Sequence, residues 1–451
     1  AGCATAQEAE PMASAPVPPV ATGTQRSAPQ LVVAISVDQL SADLFQQYRR
    51  QFTGGLARLQ NGVVFQNGYQ AHAATETCPG HSTLLTGRHP ANTGIIANGW
   101  ADFTVARNNK EIYCAEDATQ VPEEGAGRYV ASSVNLLVPT LGEMLKTVSP
   151  ASRNVAVSGK DRGALMMGGT DVDAIAWWTG RGFGPDRGGA VSAPLAAVNA
   201  KVEAALAKPA SGGVNAIVSW CDARRTPVVE AGHAVGANPM AQTADPNSFR
   251  ISPRLDEATL DLAGRLVAEM NLGGGSAPDI LSISLSATDY IGHAFGTNGA
   301  ESCVQMAALD SALEGFFKML DGRGVDYLVV LTADHGGLDL PERAQLQAVP
   351  DARRVDVAIT PEVLRERLAG ELGLSTPALI GESAAGDIYL NPALSAADRA
   401  RVLPIAMWPE RIRAPRSWRR PCPPAIRARG ASWNGCAPRI IRAAPAISWW
   451  R

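Results

Sequence analysis

Short apolar runs that stop at an acidic residue punctuate this chain and alternate with longer stretches of helical period. Leu31–Val37 (LVVAISV) is continuous, rich in β-branched residues and followed at once by Asp38, the pattern of a strand buried on both faces of a parallel sheet. Asp279–Ser286 (DILSISLS) leads into Ala287-Thr288-Asp289, and Tyr327–Thr332 (YLVVLT) into Ala333-Asp334-His335-Gly336-Gly337. A fourth apolar strand is expected at Asn154–Val157. Helical spacing of apolar residues marks Leu195–Ala207, Leu255–Leu272 and Val304–Leu320; in the last, Val304, Ala307, Leu313, Phe316, Phe317 and Leu320 form one stripe. Such alternation predicts an α/β fold with a mostly parallel central sheet flanked by helices. Three strands then deliver carboxylates to one sheet edge, where α/β folds bind ligands. The Gly- and Ala-rich stretch Gly180–Gly275 is expected to hold an insertion or cap. Gly386–Leu390 reads as a further strand, and Ser395-Ala-Ala-Asp-Arg as the capped start of a helix.

Composition narrows the class. Of 451 residues, 46% are hydrophobic and 18% charged, with a net charge of −3; this excludes a disordered chain and a generally basic nucleic-acid binder. No stretch approaches the ~18 consecutive apolar residues of a transmembrane helix. The near-neutral total hides an asymmetry: residues 401–451 carry eleven Arg, no Lys and only Glu410 as an acid, together with eight Pro and five Trp. From about Leu403 both periodicities are lost. Arg, Pro, Ala, Gly, Trp and Cys are what GC-rich codons give out of register, so residues 403–451 are read as a frame-shifted tail, against the alternative of a basic membrane or nucleic-acid tail. The Ala/Pro/Thr-rich residues 1–29 read as a linker left after signal removal, which places the protein in the periplasm or outside the cell. Ala1-Gly2-Cys3 would equally suit a lipoprotein remnant or an accidental cysteine. Seven Cys without a CxxC pair are too few for a disulfide scaffold and leave room for one or two bridges.

The densest chemistry lies in Ala74-Thr-Glu-Thr77-Cys-Pro-Gly-His-Ser-Thr-Leu-Leu-Thr-Gly87. A hydroxyl before Pro, then a helical run closing on Gly, places Thr77 at or near a helix N-terminus, where free amides and the helix dipole favour phosphate or an anionic nucleophile. Alone, Thr77 reads as an ordinary cap. Asp289 and His293 are spaced four apart after one strand, and Asp334-His335 follow the next; carboxylate and imidazole together suit Zn²⁺ or a similar ion. Jointly with Asp38 and Thr77 at strand ends, these residues predict a two-metal site able to ionise a weak hydroxyl nucleophile and hydrolyse phosphate esters. Donors for the phosphoryl oxygens are Asn98, Lys160 and Arg162. The last two, two apart after Asn154–Val157, would point the same way on an extended chain; alone, Lys160-Asp161-Arg162 reads as a solvated turn.

In order, SVDQL, ATETCPGHSTLLTG, GIIAN, SGKDRG, DYIGH and TADHGG resemble the alkaline phosphatase superfamily, and within it the threonine-nucleophile bacterial alkaline phosphatases of the PhoK and PafA kind, relatives of the nucleotide pyrophosphatase/phosphodiesterases. The resemblance covers about residues 30–400, with 30–402 expected as the catalytic domain. It implies that Thr77 becomes phosphothreonine, that Asp38, Asp334 and His335 with Thr77 hold one of two zinc ions, and that Asp289 and His293 hold the other. Asn98, Lys160 and Arg162 match phosphate-contacting positions, the last two favouring monoesters over diesters. Small phosphate esters are the implied partners, with no nucleic acid partner favoured. The family's third ligand to the second zinc is a downstream His, and no His follows His335 here, so the expectation includes impaired metal binding, with a phosphodiesterase and an inactive remnant as alternatives. His72, His81 and His89 are read as packing, capping or supporting residues. Cys78-Pro79-Gly80-His81 does not match the Cys-x-Pro-x-Arg motif of formylglycine sulfatases.

Overall fold

The computed structural model describes residues 28–65, 68, 70–107, 109–121, 129–184, 192–209, 218–230, 232–236, 240, 242–354, 360–381, 388–406 and 446–447. The linker reading and nearly all of the tail reading therefore fall outside the described residues; from the tail only 403–406 and a two-residue strand, Ala446–Ile447, are described.

The expected strands form and pair in parallel. A six-stranded sheet runs in the order Tyr327–Thr332, Leu31–Val37, Asp279–Leu285, Asn154–Ser158, Ala174–Trp178, Phe183–Gly184, of which only the last is antiparallel to its neighbour. In register, Ser36 lies beside both Thr332 and Ser284. Asp38, Asp334 and Asp289 thus leave the same sheet edge, as the three acid-terminated runs predict.

The alternation of side chains along Leu31–Val37 sets the layers. Leu31, Val33, Ile35 and Val37 join a large core with Leu255, Leu262 and Leu266 of helix Arg254–Glu269 and Leu309, Leu313 and Phe317 of helix Ala300–Gly322. Val32 and Ala34 face the other way, against Leu84 and Leu85 of helix Thr77–Thr86 and Met167 of helix Asp161–Gly168. Two helical layers bury both faces of the inner strands, which is why these read as unbroken apolar runs; Tyr327–Thr332, equally apolar in sequence, is instead the edge strand and leaves Leu328 and Val330 about half exposed.

The stretch expected to form an insertion or cap is partly core: Leu195, Val198, Val202 and Leu206 of helix Ala193–Ala207 pack into the large cluster. A hairpin, Val228–Glu230 with His233–Val235, follows. Ser395 Oγ accepts from the Asp398 backbone N–H at 3.0 Å at the start of helix Ala396–Ala406, as its sequence suggested. That helix shares a separate small core with Leu364, Leu368, Leu379, Ile388 and Leu390. Among the described residues no helix is long and apolar enough to cross a membrane.

Candidate active site

Thr77 is the first residue of helix Thr77–Thr86 and is 2% exposed. Glu76 precedes it in extended conformation without a side-chain cap. The helix start is instead tied sideways: the Cys78 amide donates to Asn98 Oδ1 at 2.8 Å, and the Asn98 amide donates to Glu76 Oε2 at 2.7 Å. A disulfide joins Cys78 to Cys114, beside the hairpin Gly99–Ala101/Glu111–Tyr113. The expected nucleophile and Asn98 are therefore parts of one cross-linked unit. The helix lies so close to the sheet edge that a Cβ on Gly80 would come 2.5 Å from the Asp334 carbonyl oxygen.

Asp38 and Asp334 are fully buried and Asp289 nearly so. Lys160 sits among them. Its Nζ is 2.6 Å from Asp38 Oδ2, 2.6 Å from Asp289 Oδ2 and 3.4 Å from Thr77 Oγ1. His335 Nε2 lies 3.2 Å from Asp38 Oδ1 and 3.5 Å from Asp334 Oδ2. Its Nδ1 donates to the Gly336 carbonyl at 2.8 Å, which aims Nε2 at the carboxylates. His293 Nε2 approaches Asp289 Oδ1 at 3.2 Å from one helical turn away, on helix Ala287–Phe295, and its side chain is 72% exposed.

The electrostatics follow from packing three acids in one dry place. Burial and the Asp334 charge work against ionisation of Asp38, yet Lys160 and His335 hold its pKa below the ordinary value. Burial likewise opposes ionisation of Asp334, but His81, His335 and Lys160 bring it down to about 2. Burial alone would deprotonate His335; contact with Asp38 and Asp334 raises it to about 9. Without a bound ion, Lys160 and a protonated His335 supply the compensating charge.

The arrangement fits a divalent cation. One ligand atom from each of Asp38, Asp289 and His335 lies within 4.8 Å of the others, and the same holds for Asp38, His81 and Asp334. Both Asp38 oxygens and Asp334 Oδ2 are buried and, apart from their ion pairs with Lys160, His335 and His81, meet no hydrogen-bond donor, whereas buried carboxylate oxygens are normally saturated. Carboxylate and imidazole are the ligand types that zinc takes.

Arg162 corrects the sequence picture. Lys160 is extended, but Arg162 lies in the first turn of helix Asp161–Gly168, so the two do not share an extended segment. Arg162 Nη1 donates to Tyr113 Oη at 3.3 Å, while Tyr113 and Tyr129 donate to the two carboxylate oxygens of Asp161 at 2.8 and 2.6 Å. Its Nε is buried without a partner. Sequence reading passed over these tyrosines because no spacing links them to SGKDRG.

His81, read from sequence as a packing, capping or supporting residue, also stands in a candidate ligand group with Asp38 and Asp334. Its Nδ1 donates to the Thr77 carbonyl at 2.8 Å and lies 3.1 Å from Asp334 Oδ2, and its Nε2 meets Ser284 Oγ at 2.9 Å. Gln39, which the sequence did not single out, donates Nε2–H to Asp289 Oδ1 at 3.0 Å and its backbone N–H to Asp334 Oδ1 at 3.1 Å.

A threonine at a helix N-terminus set over carboxylates at the carboxyl edge of a parallel sheet defines an α/β protein with a candidate metal site. The chain belongs to the type I phosphodiesterase / nucleotide pyrophosphatase family, whose sequence profile matches residues 32–362. It is 49% identical over 379 residues to alkaline phosphatase PhoK of Sphingomonas sp, a match covering 83% of this chain and 67% of PhoK. To alkaline phosphatase PhoD of Zymomonas mobilis it is 44% identical over 385 residues, covering 84% and 66%. The chain thus spans about two thirds of the length of these relatives. The crystal structure of wild type alkaline phosphatase PafA superposes with a TM-score of 0.73 at 25% identity, covering 86% of this chain and 77% of PafA.

Proposed function

We propose that this protein is a metal-dependent alkaline phosphatase that hydrolyses small phosphate monoesters through a phosphothreonine at Thr77. One observation carries the reading: Thr77 Oγ1, at the N-terminus of its helix, lies 3.4 Å from a lysine ammonium that is itself 2.6 Å from Asp38 and Asp289. Asp38, Asp334 and His335 with Thr77 would hold one zinc ion, and Asp289 with His293 a second. Bound there, the ions would favour the Thr77 alkoxide and neutralise charge on phosphorus and leaving group.

The chain's own residues do the rest. The helix N-terminus and its amides favour negative charge beside Thr77. Asn98 and the Cys78–Cys114 bridge fix where that helix begins. Lys160 and Arg162 supply positive charge for phosphoryl oxygens; burial disfavours the guanidinium, but Tyr113 and Asp38 raise its pKa. Attack by Thr77 Oγ1 forms the P–O bond as the ester oxygen departs, and water then cleaves the phosphothreonine to return Thr77 and inorganic phosphate.

Diester hydrolysis is the second reading, favoured by the family profile that spans residues 32–362. Zinc-loaded protein is expected to turn over p-nitrophenyl phosphate faster than bis-p-nitrophenyl phosphate; the reverse preference would replace the monoesterase by the diesterase. Two disulfides, Cys78–Cys114 and Cys221–Cys303, support a periplasmic or secreted location, since such bonds persist in oxidising compartments.

A further inference from the structure

Gln39 follows Asp38 in the SVDQL run and is 5% exposed. Its φ is +68°, one of three positive values among the described non-glycine residues. Left-handed backbone at a long side chain is strained and persists where the surroundings impose it. The turn aims the two donors of one residue at two different carboxylates: the backbone N–H at Asp334 Oδ1 and Nε2–H at Asp289 Oδ1, at 3.1 and 3.0 Å. Lys160 approaches the other oxygen of Asp289.

Two motif glycines make room for this side chain. A Cβ on Gly292, between Asp289 and His293, would overlap Gln39 Oε1, and a Cβ on Gly337, two residues after His335, would come 2.6 Å from Gln39 Cδ. The carboxamide is thus clamped between the segments bearing the candidate ligands, with Oε1 buried and unpartnered. Such fixation serves one outcome: an Asp289 carboxylate held in one rotamer with Oδ1 occupied.

We propose that Gln39 is a positioning residue that couples the two halves of the metal centre, its backbone holding Asp334 and its carboxamide orienting Asp289 for the second ion. This rests on the two-ion reading above. Partners that hydrogen-bond a metal-ligating carboxylate typically contribute 10–100-fold to metal affinity, and here the loss should fall on one ion only.

The probe is Zn²⁺, titrated into metal-free protein against a chromogenic chelator, beside thermal melting of the same metal-free samples. Gln39→Gly removes the carboxamide while suiting the left-handed backbone and keeping the amide to Asp334. Its metal-free melting temperature should equal or exceed that of the parent, one Zn²⁺ should bind as before, and the second about 10–100-fold more weakly. Gln39→Met, which keeps the length and loses the donor, should show the same selective loss. Parental affinity for both ions in either variant would overturn the role, as would equal weakening of both. A parent protein that binds fewer than two Zn²⁺ would overturn the two-ion reading itself, and this role with it.

Discussion

The two halves of the candidate metal centre are built to different standards. Asp38 and Asp334 follow adjacent parallel strands, are fully enclosed and are braced by His81, the Gln39 amide and the close approach of the Thr77 helix. His335, their companion, is 8% exposed at its side chain. Asp289 and His293 stand on a nine-residue helix beyond the strand end, with the His293 side chain 72% exposed. One half is fixed by the sheet, whose strand spacing admits little adjustment. The other hangs on a single helix and on the side chain of Gln39. Rigidity should therefore favour tight binding in the Asp38 half and weaker, more exchangeable binding in the Asp289 half.

The largest expected effect is on chemistry. Thr77→Ala should abolish the acid-stable phosphoenzyme and lower turnover of p-nitrophenyl phosphate by at least about 10³-fold; retention of a phosphoenzyme would move the nucleophile elsewhere. Next come the ligands. Asp38→Asn should release the ion proposed to sit with Asp334 and His335, and Asp289→Asn the ion proposed to sit with His293, each variant keeping the other; metal content after dialysis reads the loss.

Lys160→Met addresses the metal-free state, where the Lys160 ammonium, beside His335, faces Asp38 and Asp289. Removing it leaves the buried carboxylates with His335 as their remaining cation and should cost about 3–5 kcal/mol in chemical denaturation, with Zn²⁺ restoring much of the loss. A metal-free variant as stable as the parent would mean that these carboxylates are protonated or hydrated instead.

The pH dependence is smaller. His335 titrates near 6.5 when unfolded and about 9 when folded, so its contribution is complete below about pH 6.5 and is lost as pH rises through 9. Denaturation of the metal-free protein should show a decline of about 3 kcal/mol over that window, and His335→Asn should flatten it. Smallest is His293→Ala: with an exposed ring, metal-free stability should change by no more than about 0.5 kcal/mol, while affinity for the second ion falls. A large stability loss would show the ring to be a packing element after all.

The strand ends were legible because local pattern suffices there. The apolar runs before Asp38 and Asp289 have a buried middle and a polar exit, the run before Asp334 forms the half-exposed edge strand, and the Thr-Cys-Pro step announces a helix start at Thr77. Asp289 and His293 are four apart, so one helix face brings them together without tertiary help. Arg162 was misjudged because the helix begins at Asp161, which puts Arg162 in its first turn. Gln39, the two tyrosines and the Cys78–Cys114 bridge left no local signal, since each acts on a partner 32 to 295 residues away.

By itself, the sequence determined which residues end strands and begin helices, and hence that carboxylates, imidazoles and a threonine gather at one sheet edge. Periodicity and capping are properties of neighbours along the chain. Only the tertiary structure decided how far each group is removed from water, which oxygen each donor meets and which half of the centre is rigid. Those depend on the register of strands far apart in sequence and on glycines that let backbones approach.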